Sequence, residues 1–180
     1  MRGGSVARRY AKALLGMGLD RGSADAFADD LAQIASLLRG HAELRSALGN
    51  PVFPLSQRRA ALAALADRAS VAPVVRVFLN LLVDRGRLGE LDMIEREYRA
   101  MADAAAGRVR AMVTSARPLS DAMAERLRAA LATATRKQVL LERQLDPELL
   151  GGLQVKVGST LFDGGVRSRL HELGERMLAT

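Results

Sequence analysis

The chain has 180 residues, of which 49% are hydrophobic and only 3% aromatic, with no tryptophan. This composition excludes wholesale disorder and favours a core of packed helices built from Leu, Ala, Val and Met. The absence of cysteine excludes a disulfide scaffold, a thiolate metal site and a cysteine nucleophile, and it is compatible with a reducing compartment.

A formal net charge of +7 brings nucleic-acid binding into consideration. The basic residues are mostly arginines that stand singly or in pairs among acids, as at Arg8-Arg9 and Arg58-Arg59. No RNA-recognition aromatics and no zinc-finger spacing accompany them. We therefore favour solvated helix faces, and we keep a basic nucleic-acid-binding helical module as the alternative function.

Neither a signal peptide nor a membrane span is predicted. The first residues lead directly into a charged helical pattern, without the apolar core of a signal peptide. The longest nearly apolar run, from Val71 to Val83, contains Arg76 and Asn80 and is shorter than the ~20 residues that cross a bilayer. We expect a soluble chain.

Six helices separated by short breaks are predicted in the first hundred residues. They begin near Ser5, Ser23, Ala42, Ser56, Pro73 and Leu91, with Ser23 and Ser56 as expected caps. The second helix shows the clearest amphipathic stripe, formed by Phe27, Leu31, Ile34 and Leu38. Six helices with connections of a few residues predict a bundle over residues 1–106.

At Gly107 the spacing of apolar residues changes from about 3.6 to 2, which is typical of a strand. Further strands are predicted near 139–145 and 153–157, with a helix after Pro118-Leu119-Ser120 and a last helix from Val166. The first of these helices bears Met123, Leu127, Leu131 and Ala134. The predicted fold class is therefore mainly α, with a six-helix bundle followed by a small α+β domain (β-α-β-β-α) over residues 107–180.

No catalytic, metal-binding or cofactor-binding motif is found. Phosphate-binding glycine loops are absent, and His41 and His171 lack a partner at metal or catalytic spacing. Gly151-Gly152 favours a β-turn, and Asp163-Gly164-Gly165 favours a turn before a helix, because one carboxylate is too few for calcium. We predict a non-catalytic protein without metal or cofactor.

The first and fifth helices carry unusually broad apolar surfaces. At ~100° per residue, the apolar side chains between Val74 and Val83 cover an arc of roughly 240°, whereas a bundle helix needs about 100° to meet its core. Two interpretations follow from periodicity alone. Both helices are central in the bundle, or together they form a groove for a partner's amphipathic helix.

Three segments of the sequence resemble the delta subunit of F-type ATP synthases, called the oligomycin-sensitivity-conferring protein in mitochondria. They are Ser5-Val6-Ala7-Arg8-Arg9-Tyr10-Ala11-Lys12-Ala13-Leu14, then Phe78-Leu79-x-Leu81-Leu82-x-x-x-Gly86-Arg87-Leu88, then a stretch that runs from Asp146 through Gly151, Gly152, Gly158, Asp163 and Gly164 to Leu170. The match covers about Ser5 to Leu178. Gly165 departs from the serine that is common in the family, and it is a weaker helix cap.

The resemblance implies a peripheral-stalk protein on the cytoplasmic face of a bacterial inner membrane, attached only through its complex. It implies that the six-helix domain binds the N-terminal helix of an alpha subunit between helices one and five. The second domain would contact the C-terminal helices of the b subunits, and catalytic sites would lie on other chains. The groove residues expected on this basis are Tyr10, Ala11, Leu14, Phe78, Leu81 and Leu82.

Overall fold

A computed structural model describes residues 3–147, 149, 153–157 and 160–163. Its first part contains six helices: α1 Gly3–Asp20, α2 Ala24–Gly40, α3 Ala42–Gly49, α4 Leu55–Arg68, α5 Pro73–Asp84 and α6 Leu91–Ala105. One 3-10 turn, Leu88–Glu90, precedes α6. The predicted mainly helical fold with a six-helix first part is confirmed.

The chain divides into two compact units, Met1–Ala102 and Asp103–Thr180, which we call the helical unit and the sheet unit. The sequence prediction placed the boundary at Gly107. Asp103 falls within the sheet unit, and its carboxylate binds Arg108 and Arg110, the first and third residues of the following strand.

The core of the helical unit is built from aliphatic side chains of all six helices and from the aromatic rings of Phe27, Phe78 and Tyr98. The stripe predicted on α2 is fully used, since Phe27, Leu31, Ile34 and Leu38 are all buried. Alanines such as Ala7 and Ala11 are buried on α1, where small side chains allow neighbouring helices to approach closely. Burial of this apolar surface is the main stabilising contribution to the unit.

Two of the predicted helix starts behave differently from expectation. Ser56 does not cap α4, because this helix begins one residue earlier and Pro54 occupies the cap position. Ser23 lies at the cap position of α2, but its hydroxyl donates to the Arg21 carbonyl instead of accepting from the helix. Pro73, by contrast, opens α5 as predicted, since proline lacks the N–H that a first turn leaves without a helical partner.

Tyr98 on α6 is buried, and its hydroxyl donates a hydrogen bond to the Ala24 carbonyl at the start of α2, at 3.0 Å. Burial, with a contribution from the charge of Asp25, raises the pKa of Tyr98 to about 12 from its ordinary value of 10. The phenol is therefore held protonated in the folded state well above the pH at which an exposed tyrosine ionises.

This pKa predicts an alkaline limit to stability. A raised folded-state pKa contributes stability that is complete below pH 10 and is lost as the pH rises towards about 12. We expect the free energy of unfolding to fall over this window in the wild type, and to fall less in Tyr98→Phe. Urea titrations at pH 9, 10 and 11 measure the difference, and parallel curves for the two proteins would contradict it.

The sheet unit contains β1 Arg108–Ser115, α7 Asp121–Thr135, β2 Gln138–Leu145, β3 Leu153–Val157 and β4 Thr160–Asp163. The strand order is β2-β1-β3-β4. Strands β1 and β2 are parallel, and α7 forms the crossover between them, capped by Ser120 as its hydroxyl accepts from the Met123 N–H. The remaining pairs are antiparallel.

The sequence predicts no strand at β4 and places Asp163 in a turn, whereas Asp163 ends a strand paired with β3. The predicted last helix from Val166 lies outside the described residues, and so do Gly151, Gly152, Gly158 and Gly164. One face of the sheet, which includes Ala111, Val113 and Val139, is buried.

The face of α7 differs from its predicted stripe. Ala124 is buried and Leu127 and Leu131 are half-buried, but Met123 and Ala134 are exposed. The buried face is therefore rotated towards Ala124, because the helix covers only one side of a small sheet and needs a narrow contact stripe.

Candidate partner-binding site

The structure brings the two helices of the predicted groove into contact. Tyr10 on α1 and Phe78 on α5 meet edge to face, with ring centroids 6.2 Å apart and planes at 70°. This geometry is favourable for two aromatic quadrupoles. The two segments that the sequence singled out are therefore neighbours in the fold, at the middle of each helix.

Four of the six predicted groove residues are sealed within the bundle. Ala11, Leu14, Phe78 and Leu82 are all part of the buried core, Tyr10 is half-buried, and only Leu81 is exposed. This corrects the expectation that all six offer surface to a partner. The physical reason is that α1 and α5 use the centre of their broad apolar arcs to fill their own core.

The residues at the edges of these apolar arcs remain exposed on the surface of the bundle. Val77 and Leu81 on α5 are 71% and 41% exposed, and Met17 on α1 is 40% exposed. We define the outer stripe as Tyr10, Ala13 and Met17 on α1 with Val74, Val77 and Leu81 on α5. Each set has the spacing i, i+3, i+7, which places its members along one side of a helix.

The apolar periodicity of α1 and α5 included the residues of the outer stripe. Because the apolar arcs are so broad, it did not show which of their residues are exposed. Ala13, Met17, Val74 and Val77 belong to the broad apolar surfaces noted from periodicity, yet the prediction selected their buried neighbours Ala11, Leu14 and Leu82. On a helix that is apolar over 240°, periodicity does not define a single inward direction.

On its other side α5 is bordered by α4. A surface groove of ≈ 600 Å³ runs between them, lined by Arg59, Ala60, Ala63, Val77, Asn80, Leu81 and Asp84. Asp84 accepts two hydrogen bonds from Arg59, at 2.8 and 2.6 Å. This bidentate contact lowers the pKa of Asp84 and raises that of Arg59, so both groups stay charged.

The exposed apolar ridge of α5, formed by Val77 and Leu81, therefore has a helix on each side. A partner helix laid against this ridge would contact either the α1 members of the outer stripe or the alanines of α4. Within the described ranges there is no group of three or more His, Asp or Glu placed to hold a metal ion. The site can bind a partner by burying apolar surface.

Comparison with known proteins identifies the family of the chain. The model of the ATP synthase delta (OSCP) subunit family matches residues 6–177. The chain belongs to this family. It is 41% identical over 174 residues to an ATP synthase subunit delta of Anaeromyxobacter sp. (strain Fw109-5), covering 97% of each chain. It is 45% identical over 171 residues to that of Myxococcus xanthus (strain DK1622), covering 94% of each.

A solved structure supports the same fold. One chain of the Toxoplasma gondii mitochondrial ATP synthase hexamer superimposes with a TM-score of 0.77 at 21% identity, covering 97% of this chain and 98% of that one. As a member of the delta (OSCP) family, the chain is a non-catalytic peripheral-stalk component of an ATP synthase. No helix in the described part of the chain is both long and apolar enough to span a membrane.

Proposed function

We propose that this chain links the catalytic head of a bacterial F-type ATP synthase to its b-type subunits, on the cytoplasmic face of the inner membrane. The helical unit binds the N-terminal helix of an alpha subunit at the outer stripe, and the sheet unit binds the C-terminal helices of the b subunits. The observation that carries the first contact is the exposed apolar ridge of Val77 and Leu81 on α5, the helix whose Phe78 packs against Tyr10 of α1.

The mechanism is static resistance to torque. Proton flow turns the rotor, and the catalytic head would turn with it unless a stator holds it. A stator requires contacts that dissociate slowly under load, and an amphipathic helix buried against an apolar stripe supplies them without chemistry. Each Leu-sized side chain buried there contributes ~1.5–3 kcal/mol before the costs of association.

Nucleic-acid binding, the alternative considered from the net charge, receives no support from membership of the delta (OSCP) family. Affinity purification of the tagged chain from native membranes tests the proposed linkage directly. Co-purification of alpha, beta and b-type subunits is the expected result. Recovery of the chain without any of them would contradict the proposal.

Leu81→Asp tests the position of the alpha-subunit contact. A carboxylate at this exposed position leaves the bundle core intact but would have to be removed from water when a helix covers the stripe. We expect the affinity for a peptide of the alpha-subunit N-terminal helix to fall at least tenfold by titration calorimetry. Leu14→Asp is unsuitable, because Leu14 is buried and its replacement would report on unfolding.

Met93→Asp provides the matched control for this experiment. Met93 on α6 is 44% exposed, close to the 41% of Leu81, but it is not part of the outer stripe. We expect this variant to bind the peptide as the wild type does, and both variants to keep the wild-type circular dichroism spectrum. Equal affinities for Leu81→Asp and wild type would refute the outer stripe as the docking site.

A further inference from the structure

The charged residues of α1 are arranged in an order that destabilises the helix. Arg8, Arg9 and Lys12 are exposed in its N-terminal half, and its only acid is Asp20, the last residue. A helix dipole favours the opposite order, with acids near the start and bases near the end. Arg8 and Lys12 also stand at i, i+4, where like charges destabilise a helix.

No group in the described part of the chain compensates these three cations. None of them takes part in an ion pair there, whereas some arginines of other helices do, for example Arg59 with Asp84 and Arg99 with Glu95. The N-terminal half of α1 is therefore a basic surface. Its charges destabilise the helix and form no ion pairs with other described residues.

This basic surface borders the outer stripe. At ~100° per residue, Arg9 lies about 40° from Ala13 around the helix, and Lys12 lies a further 60° in the same direction, away from α5. Gly16, one turn along from Lys12 on this edge, has no side chain to separate the cations from a bound molecule. A helix bound along Tyr10, Ala13 and Met17 would thus bring one of its edges within reach of Arg9 and Lys12.

We propose, on the basis of the function proposed above, that Arg9 and Lys12 form a basic border of the outer stripe. The helix that docks there carries carboxylates on the edge that faces α1. The apolar stripe holds this helix, while the border selects acidic partners and accelerates their association, as charges at the rim of an interface do. Binding is therefore weakened by salt.

The test compares two probes with the full-length chain. One is a synthetic peptide of the alpha-subunit N-terminal helix, and the other is the same peptide with every Asp and Glu replaced by Asn and Gln. We expect the double variant Arg9→Glu/Lys12→Glu to bind the first peptide at least tenfold more weakly at 50 mM salt. The loss should shrink at 500 mM salt and disappear with the second peptide.

Arg96→Glu, an exposed arginine of α6, is the matched control and should bind both peptides as the wild type does. If the double variant binds the first peptide normally while Leu81→Asp does not, the basic border is refuted and the outer stripe stands. If neither change affects binding, both proposals fail. Binding to phosphatidylserine vesicles is measured for the same proteins. If the double variant loses vesicle binding but keeps peptide binding, these cations contact a membrane surface and the inference is overturned.

Discussion

Replacing Gly18 by alanine should destabilise the helical unit by about 2 kcal/mol, although alanine is normally the better helix former. A Cβ at Gly18 would lie 2.7 Å from the Tyr98 hydroxyl oxygen, 3.1 Å from the Ala24 Cα and 3.2 Å from a Phe27 ring carbon. The Ala24 contact involves backbone, so it can relax only if α1 and α2 separate. Tyr98 cannot withdraw without losing its hydrogen bond to Ala24.

Gly16 provides a control on the same helix, two residues away. A Cβ at Gly16 meets nothing within 4 Å, so Gly16→Ala gains helix propensity without a clash. We expect this variant to be more stable than the wild type by about 0.5–1 kcal/mol. The two changes are chemically identical and should have opposite signs, because only Gly18 lies where α1 crosses α2.

Tyrosine fluorescence during urea unfolding measures both effects. The only two tyrosines, Tyr10 and Tyr98, lie in the helical unit, and there is no tryptophan, so this signal reports on that unit alone. This matters because a chain with two units need not unfold in one step. A Gly18→Ala midpoint at or above that of Gly16→Ala would show that the helices are less tightly packed than described.

Asp103→Ala should destabilise the sheet unit by about 3 kcal/mol. The buried Asp103 carboxylate accepts from Arg110 Nε at 2.6 Å and lies 3.3 Å from Arg108 Nη2. Although burial lowers the pKa of Arg110, its hydrogen bonds to Glu142 and Asp103 raise it overall, so the guanidinium remains charged. Removing the carboxylate leaves two partly buried cations side by side without their shared counter-ion.

Glu142→Ala is the control for this cluster, since Glu142 also binds Arg110, at 2.8 Å, but is exposed. Exposed ion pairs contribute less than about 1 kcal/mol, so we expect a small effect. The sheet unit contains no tyrosine among its residues, so hydrogen exchange of the β1 and β2 amides, followed by mass spectrometry, is the suitable measurement. Similar losses of protection in the two variants would contradict a special role for the buried carboxylate.

The amino-acid sequence by itself determined the family and the order of the elements from α1 to β3. Sharp amphipathic patterns, such as the α2 stripe, define one inward face, so they predicted both the helix and its buried side. Strands β1, β2 and β3 were predicted from their two-residue alternation. The four residues of β4 were too few to show a period, and their pairing with β3 is a non-local contact that local pattern does not contain.

Only the tertiary structure decided which part of α1 and α5 is available to a partner. Their apolar arcs are wider than one core contact needs, so the sequence allowed several inward directions. Packing against the rest of the bundle selected Leu14, Phe78 and Leu82 for the core and left Val77 and Leu81 outside. Burial is a property of neighbours brought together from distant parts of the chain, and periodicity within one helix describes only that helix.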